Sequence, residues 1–165
     1  MKKIIFLIIS IILFFYLNAC AGYKPIYSSS NFNFIIEGHS IKGEEKLANS
    51  IYRNLYNISL SNKNNQAAQS ISLSIETNKE RRVTVKNSAG KILEYEINLN
   101  TNIIIKDFLT DKSILNKNFN YSISYKVQDV HSDTLKLENK NINNLIDKTY
   151  QDALVQISEV ITSQW

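Results

Sequence analysis

The chain has 165 residues, of which 44% are hydrophobic and 21% charged, as expected for one globular domain with at most a short extension. A single Cys excludes an intramolecular disulfide and a Cys-rich metal site, and two His leave little material for a His-based metal site. With four Gly and one Pro, the sequence also has no Gly-rich phosphate-binding loop.

The first twenty residues have the pattern of a lipoprotein export signal. Two Lys precede the apolar run Ile4–Leu17, which is shorter than the roughly 20 apolar residues of a membrane-spanning helix. The run ends Leu17-Asn18-Ala19-Cys20, which resembles a bacterial lipobox. In such lipoproteins the chain is cut before the Cys, its thiol is joined to diacylglycerol, and the new amine is acylated, for example with palmitate. We therefore predict a signal peptide at residues 1–19, lipid attachment at Cys20 and a tether over residues 20–30.

Cys20 has an alternative interpretation as an ordinary buried Cys behind a short membrane anchor. Its position at the expected cleavage site, as the one Cys of the sequence, favours acylation. An acylated thiol is not available as a catalytic nucleophile, and three acyl chains would hold the protein firmly on a membrane. Ala21 occupies a position where Asp signals retention in the inner membrane, so the sequence permits export to the outer membrane.

Apolar periodicity predicts a strand and a helix directly after the tether. Phe32, Phe34 and Ile36 alternate with polar residues as in a short strand, which Glu37–Ser40 is expected to end. Apolar residues at three- and four-residue spacing then predict a helix from Gly43 to about Leu60.

Three long strands follow, each with apolar residues at odd positions and polar residues at even positions. Their apolar residues run from Ile71 to Val85, from Leu93 to Ile105 and from Leu115 to Val127. Such alternation gives a sheet one buried face and one wet face, which antiparallel sheets allow. The short links at 87–90 and 110–112 predict hairpins, and Asn78–Arg82 interrupts the first long strand and predicts a bulge there.

A second helix is predicted from about Asn141 to Ser163, after a polar stretch at residues 128–136, with Asn139 or Asn141 as its N-cap. A one-faced sheet and two one-faced helices bury their apolar surfaces against each other when they stack. The sequence therefore predicts an α+β two-layer sandwich over residues 31–165. Its order is β-α-β-β-β-α, with two helices packed on one face of a mainly antiparallel four-stranded sheet.

Short motifs and this order of elements carry a resemblance to a known family. The motifs are Cys20 followed by Gly22, Tyr23, Pro25, Ile26 and Tyr27; Arg82-Val83-Thr84-Val85 before a Gly hairpin; and Phe119-Asn120-Tyr121. The chain resembles the lipopolysaccharide (LPS)-assembly lipoprotein LptE family over nearly all of its mature length. Lys140-Asn141-Ile142 departs from the family's Asp-Ala pair near the start of the last helix.

The resemblance implies an outer-membrane lipoprotein that acts in LPS transport and outer-membrane assembly. Members of this family sit as a plug inside the barrel of LptD, facing the periplasm, help that barrel to fold, and bind LPS. A plug needs a polar surface because barrel lumens are polar. The even positions of the sheet supply Ser72, Ser74, Glu94, Glu96, Asn98, Asn100, Asn102, Asn118, Asn120, Ser122 and Ser124. The alternative is that these residues form the polar face that any soluble sheet has.

One basic cluster surrounds the first predicted hairpin. It contains Lys79, Arg81, Arg82, Lys86 and Lys91. Because Arg binds phosphate through a planar fork of donors, Arg81, Arg82 and Lys86 are candidate contacts to LPS phosphates. The alternative is a solvated hairpin tip, which the neighbouring acids Glu80 and Glu94 favour because they dilute the positive charge.

No catalytic signature is present, so neither enzymatic activity nor a cofactor is expected. His39 is expected in a turn and His131 in a polar linker, with no Ser or Asp at a catalytic spacing. Signal-peptide removal lowers the net charge from +4 to +2, so nucleic acid is not an expected partner. The alternative function is that of an accessory lipoprotein of another envelope machine, such as a lipid-transporter subunit or an activator of cell-wall synthesis.

Overall fold

Four strands and two helices follow each other along the chain in the predicted order. The computed structural model describes residues 33–63, 65 and 67–162. The elements are β1 (Phe34–Gly43), α1 (Glu45–Leu60), β2 (Gln69–Lys86), β3 (Ile92–Asp107), β4 (Ser113–Lys126) and α2 (His131–Thr162). The predicted signal peptide, the lipid-attachment residue Cys20 and the tether lie outside the described residues.

The four strands form one sheet in the order β1-β2-β3-β4. The two hairpins pair β2 with β3 and β3 with β4 in antiparallel fashion. The pair β1–β2 is parallel, because α1 carries the chain back to the start of the sheet between these two strands. The sheet is therefore mainly antiparallel, as predicted.

Both helices pack on the face formed by the odd positions of the long strands, so the predicted two-layer α+β sandwich is confirmed. The apolar stripe of α1, with Ala48, Ile51 and Leu55, is fully buried there. The core from the sheet and α2 contains Ile71, Leu73, Ile75, Ile97, Leu99, Ile103, Ile105, Phe119, Ala153, Leu154 and Ile157. At its centre the hydroxyls of Thr77 and Thr101 are 3.3 Å apart, so these two buried groups satisfy each other.

The polar segment Glu37–Ser40 does not end β1, contrary to the prediction. The pairing with β2 shifts between Ile36 and Gly38, so that Glu37 forms a bulge and the strand continues to Gly43. A bulge moves the alternation by one residue, which is why the pattern stops being readable at this point. His39 therefore lies within the strand rather than in a turn, and its ring stacks on Tyr52 of α1 at a centroid distance of 4.3 Å.

The bulge predicted at Asn78–Arg82 is also not there. The register between β2 and β3 is unbroken from Ile71 to Val83 and shifts only between Val83 and Lys86. Pairing of β2 with β1 ends at Thr77, so residues 78–82 extend beyond the part of the sheet that β1 and α1 cover. Polar side chains are tolerated there without any irregularity because they reach solvent or polar partners.

Helix α2 begins at His131, well before the predicted start near Asn141. Asn139 and Asn141 consequently lie inside the helix and cap nothing, and His131 is not in a linker. The inward positions of the first turns are occupied by Thr134, Glu138 and Asn141, all of which are buried. These residues continue the buried stripe at helical spacing, but they are polar, and apolar periodicity alone could not reveal them.

Candidate functional site

The β2–β3 hairpin forms one end of the molecule, which we call the hairpin end. Its turn is held by Asn87, whose side-chain oxygen accepts hydrogen bonds from the amides of Ala89 and Lys91 at 3.0 and 2.9 Å. Gly90 has φ +81°, a conformation that glycine adopts without steric cost. The predicted basic cluster therefore sits on an ordered turn rather than on a mobile loop.

Arg81 lies on the helix-covered face and is held there by α2. Its Nη1 donates to Glu138 Oε2 at 2.9 Å, and its guanidinium lies 4.6 Å from the centre of the Tyr95 ring. The same Glu138 oxygen accepts a 2.8 Å hydrogen bond from the buried hydroxyl of Tyr125. The guanidinium is thus engaged on its polar edge and on one face, which leaves a reduced set of donors for a phosphate.

The electrostatics of Glu138 follow from these contacts. Burial on its own would raise the pKa of Glu138, but hydrogen bonds from Tyr125 and Arg81, together with the positive charge of Arg81, lower it below its usual range. Burial and the bond to this carboxylate raise the pKa of Tyr125 to about 12. The hydrogen bond to Glu138 likewise raises the pKa of Arg81. The group is a charged, fully paired cluster at the helix–sheet boundary.

Arg82 lies on the opposite face of the sheet from Arg81, because successive strand residues point to opposite sides. It forms an ion pair with Glu96 on β3. The two arginines that the sequence analysis grouped together therefore do not converge on one ligand position. Each is bound to a carboxylate of its own.

Lys86 and Lys91 are the exposed cations of the hairpin turn. They flank the turn at the end of β2 and just before β3. Among the residues that the structure describes, neither forms an ion pair. Of the three predicted phosphate contacts, Lys86 is thus the one without an ion pair, and Lys91 is the other exposed cation of the same turn.

Exposed apolar side chains surround these lysines. Among the described residues, five of the eight large exposed hydrophobic side chains lie at the hairpin end: Val83, Val85, Leu93, Val130 and Leu135. A main-chain hydrogen bond brings the start of α2 next to the hairpin, because Val127 N donates to Leu93 O at 2.9 Å and α2 begins four residues after Val127. A surface that combines free ammonium groups with exposed aliphatic groups matches an anionic amphiphile better than a purely polar anion.

A second polar contact fastens α2 to β4 farther along. The hydroxyl of Tyr121 forms a short hydrogen bond to Asp152, and Lys148 lies 4.6 Å from the Tyr121 ring centre. Burial, and then the bond to Asp152, raise the pKa of Tyr121 to about 12. The residues border an open cleft of about 490 Å³ between strand and helix.

The face of the sheet opposite the helices is open. No helix within the described ranges packs against it, and Asn and Ser occupy its central rows. Across β3 and β4 the directly paired residues are Asn98 with Ser122, Asn100 with Asn120, and Asn102 with Asn118. The central rows of this face thus present uncharged hydrogen-bonding groups, with Asn102 already bonded to Asn116 at 3.2 Å, while the Arg82–Glu96 ion pair lies on the same face nearer the hairpin end.

None of the helices in the described part of the chain has a stretch of apolar residues long enough to cross a membrane. Within the same residues, no three His, Cys, Asp or Glu side chains come together as ligands for a metal ion.

Three solved lipoproteins are similar in fold to this chain. A candidate lipoprotein from Caulobacter crescentus has a TM-score of 0.58 at 9% identity, covering 83% of this chain and 96% of that one. Lipoprotein B from Nitrosomonas europaea has a TM-score of 0.55 at 12% identity, with 86% and 93% covered. The minor lipoprotein from Acinetobacter baumannii has a TM-score of 0.54 at 18% identity, with 78% and 92% covered.

No protein-family model and no curated protein sequence matches this chain. At the identities given above, the likeness to the three solved proteins is one of fold. The chain thus has the α+β fold of these lipoproteins, covering more than nine-tenths of the length of each.

Proposed function

We propose that the protein is a lipid-anchored outer-membrane lipoprotein of LPS transport and assembly, which fills the lumen of the LptD barrel, helps that barrel to fold and contacts LPS. The export signal and Cys20 support a lipid anchor. The motifs that resemble those of the LptE family support a role in LPS assembly rather than in another envelope machine. The fold found in solved lipoproteins supports the envelope role. The proposal concerns binding and scaffolding, because nothing in the sequence indicates catalysis.

The observation that carries this proposal is the open face of the sheet. Antiparallel sheets often leave one polar face to solvent, and on this face the central rows are uncharged Asn and Ser. Inside a polar lumen such a face can exchange water for partner groups of the barrel wall. Uncharged amides and hydroxyls suit this exchange because they lose less hydration free energy on burial than charged groups do.

The hairpin end supports contact with LPS. LPS carries phosphates on its acylated lipid A part, so it presents anionic and apolar groups side by side. Lys86 and Lys91 offer free ammonium groups, and the surrounding aliphatic residues offer apolar contact. Arg81 and Arg82 are engaged by Glu138 and Glu96 and would need to exchange a carboxylate for a phosphate.

Purification of the mature protein from detergent-solubilised envelopes tests the proposed partner. We expect a large β-barrel to co-purify, and we expect depletion of the protein to reduce LPS at the cell surface. Recovery of an ABC permease or a penicillin-binding enzyme in place of the barrel would favour the alternative of another envelope machine. Intact LPS delivery after depletion would remove the proposal.

A pair of variants tests the open face itself. Asn100→Arg with Asn120→Arg places two bulky cations at directly opposed positions on this face, and we expect it to abolish co-purification of the barrel. The matched control is Asn57→Arg with Asn144→Arg, which makes the same change at exposed positions of the helices. Equal loss in both variants would show that the open face is not the contact surface.

A further inference from the structure

The β3–β4 turn, at the end of the molecule opposite the hairpin end, is a rigid loop. Asp107 Oδ1 accepts hydrogen bonds from the amides of Leu109 and Thr110 at 3.2 and 2.8 Å, and from the Thr110 hydroxyl at 2.8 Å. Lys106 Nζ contacts both carboxylate oxygens of Asp111 at 3.0 Å. The conformation of the turn is therefore fixed by its own side chains.

This rigid turn presents two large apolar side chains to the outside. Leu109 is 86% exposed and Phe108 is 48% exposed. The Phe108 ring lies over Gly38, where a Cβ would approach it to 3.4 Å, an ordinary van der Waals contact, so the ring packs against β1 at this position. An ordered turn that holds aliphatic and aromatic groups out of the core is typical of a binding surface rather than of a solvated loop.

The turn lies at the end of the sheet where the described chain begins. Phe108 N donates to Ser70 O at 3.0 Å, and the adjacent Gln69 N donates to Asn33 O at 2.9 Å. From Cys20 to Asn33 the chain can extend over at most about 45 Å. An acylated Cys20 is therefore joined directly to this end of the sheet, and to the hairpin end only through the length of the sheet.

The charges around the turn suit a phospholipid surface. The carboxylate of Asp111 is paired with Lys106, whereas Asp107 stays negatively charged, because hydrogen bonds from Thr110 lower its pKa. Lys63 and Lys112 are exposed at the same end. Three lysines thus stand against two carboxylates around the apolar side chains, a small excess of positive charge that favours the interface of a membrane containing anionic lipids.

We propose that the β3–β4 turn inserts Phe108 and Leu109 into the surface of the phospholipid membrane that holds the acylated N-terminus. The proposal rests on the lipid anchor of the proposed function. Because the anchor makes insertion an intramolecular step, even a weakly binding turn is engaged most of the time. The consequence is orientation. The turn lies at the periplasmic surface of the membrane, and the sheet, whose longest strands span about 50 Å, directs its hairpin end along the barrel lumen of the proposed function.

Depth-dependent quenching in vesicles tests this contact. In the acylated mature protein Cys20 has no free thiol, so Leu109→Cys introduces a single site for a polarity-sensitive fluorophore. We expect its emission to shift to the blue in vesicles of phosphatidylethanolamine and phosphatidylglycerol, and lipids spin-labelled near the headgroup to quench it severalfold more than aqueous iodide does. The control is the same label at Val130→Cys, an exposed apolar position of the hairpin end, where we expect iodide to quench more strongly.

The possible outcomes separate this proposal from the anchor on which it rests. Flotation of the protein with the vesicles, and the absence of labelling at Cys20 in the unsubstituted protein, report the anchor alone. If the protein floats but the label at position 109 responds to quenchers as the label at 130 does, the turn does not insert. Protection of the label from both quenchers would indicate a second copy or another protein on the turn, and would equally overturn membrane insertion. Phe108→Ser in the labelled protein is expected to reduce lipid quenching at position 109 severalfold.

Discussion

The hydroxyl of Tyr125 donates a 2.8 Å hydrogen bond to Glu138, which joins the last strand to the first half of α2. Both side chains are almost completely buried, and Arg81 completes the group with an ion pair to the same carboxylate. A buried carboxylate that accepts hydrogen bonds from two donors is stable in its ionised form, whereas removal of one partner leaves an unpaired polar group in the interior. This contact fixes where the helix lies over the hairpin end.

Glu138→Ala is expected to lower the free energy of unfolding by about 2 kcal/mol, because the buried Tyr125 hydroxyl loses its acceptor. Arg81 contributes less to this loss, since it is partly exposed and regains water. Tyr125→Phe should cost about 1 kcal/mol, because Glu138 keeps Arg81 as a partner. Urea unfolding followed by circular dichroism measures both. The control Glu80→Ala removes an exposed acid of the same hairpin and should change stability by no more than about 0.5 kcal/mol; an equal effect of Glu80→Ala would contradict the assignment.

Alkaline pH should weaken the protein through Tyr121 and Tyr125. The pKa of each is raised to about 12 in the folded state from a usual value of 10.0. A raised pKa means that the neutral form is favoured by folding, so this stability is fully present below about pH 10 and is lost as the pH rises towards 12. Urea unfolding at a series of alkaline pH values should show the decline. The variant Tyr121→Phe with Tyr125→Phe should be less stable near neutral pH but lose less on going to high pH; an unchanged slope would contradict the prediction.

The sequence predicted the order of elements because the core positions of α1, β2, β3 and β4 are apolar at the right period. The predicted start of α2 was wrong because the inward-facing residues of its first turns, such as Glu138, are polar. Thr134 and Glu138 occupy buried positions of the first turns, and their partners come from distant strands or from the segment before the helix. The spacing of residues 134, 138 and 142 does contain the helical signal. It becomes visible only when polar residues are allowed to be inward-facing.

The candidate site was predictable in part. Strand alternation would have separated Arg81 from Arg82 at once, had it been applied to the basic cluster as it was to the apolar residues. The partner of each arginine was not predictable, because Glu138 and Glu96 meet them through pairing and packing across the chain. The contact of Phe108 with Gly38 could also not be predicted from the sequence, because it depends on the bulge at Glu37.

Gly43→Ala should destabilise the protein more than Gly90→Ala. Both glycines have positive φ, +76° and +81°, which costs an L-residue roughly 1–2 kcal/mol. Only Gly43 is also crowded, because a Cβ there would lie 2.2 Å from the Thr77 carbonyl oxygen, whereas Gly90 faces open space. Thermal or urea unfolding of the two variants measures the difference. Equal losses would show that the close approach between Gly43 and Thr77 relaxes without cost.

Lys140→Pro distinguishes the observed start of α2 from the predicted one. Proline is tolerated in the first turn of a helix but costs about 3 kcal/mol or more in the interior. Because α2 begins at His131, residue 140 lies in the interior, and we expect severe destabilisation. His131→Pro is the control, since proline suits the first helical position. If Lys140→Pro unfolds at the same urea concentration as His131→Pro, the first turns of α2 contribute little to the fold.

LPS binding should depend on Lys86 and Lys91 more than on the arginines. We expect Lys86→Ala with Lys91→Ala to weaken binding about tenfold, because two solvent-exposed ion pairs contribute roughly 0.7 kcal/mol each. Arg81→Ala with Arg82→Ala should have a smaller effect, since each guanidinium already binds a carboxylate. The measurement is titration of detergent-dispersed LPS at physiological ionic strength.

The matched control for charge is Lys46→Ala with Lys140→Ala, which removes two exposed lysines from the helices. Exposed cations attract any anionic micelle, but that long-range attraction is largely screened at physiological ionic strength. A contact at the hairpin end should therefore survive in the control and be lost in the lysine variant of the hairpin. Equal weakening of binding in the two variants would show that the interaction depends on net charge alone. Undiminished binding in both would show that LPS does not contact the hairpin end.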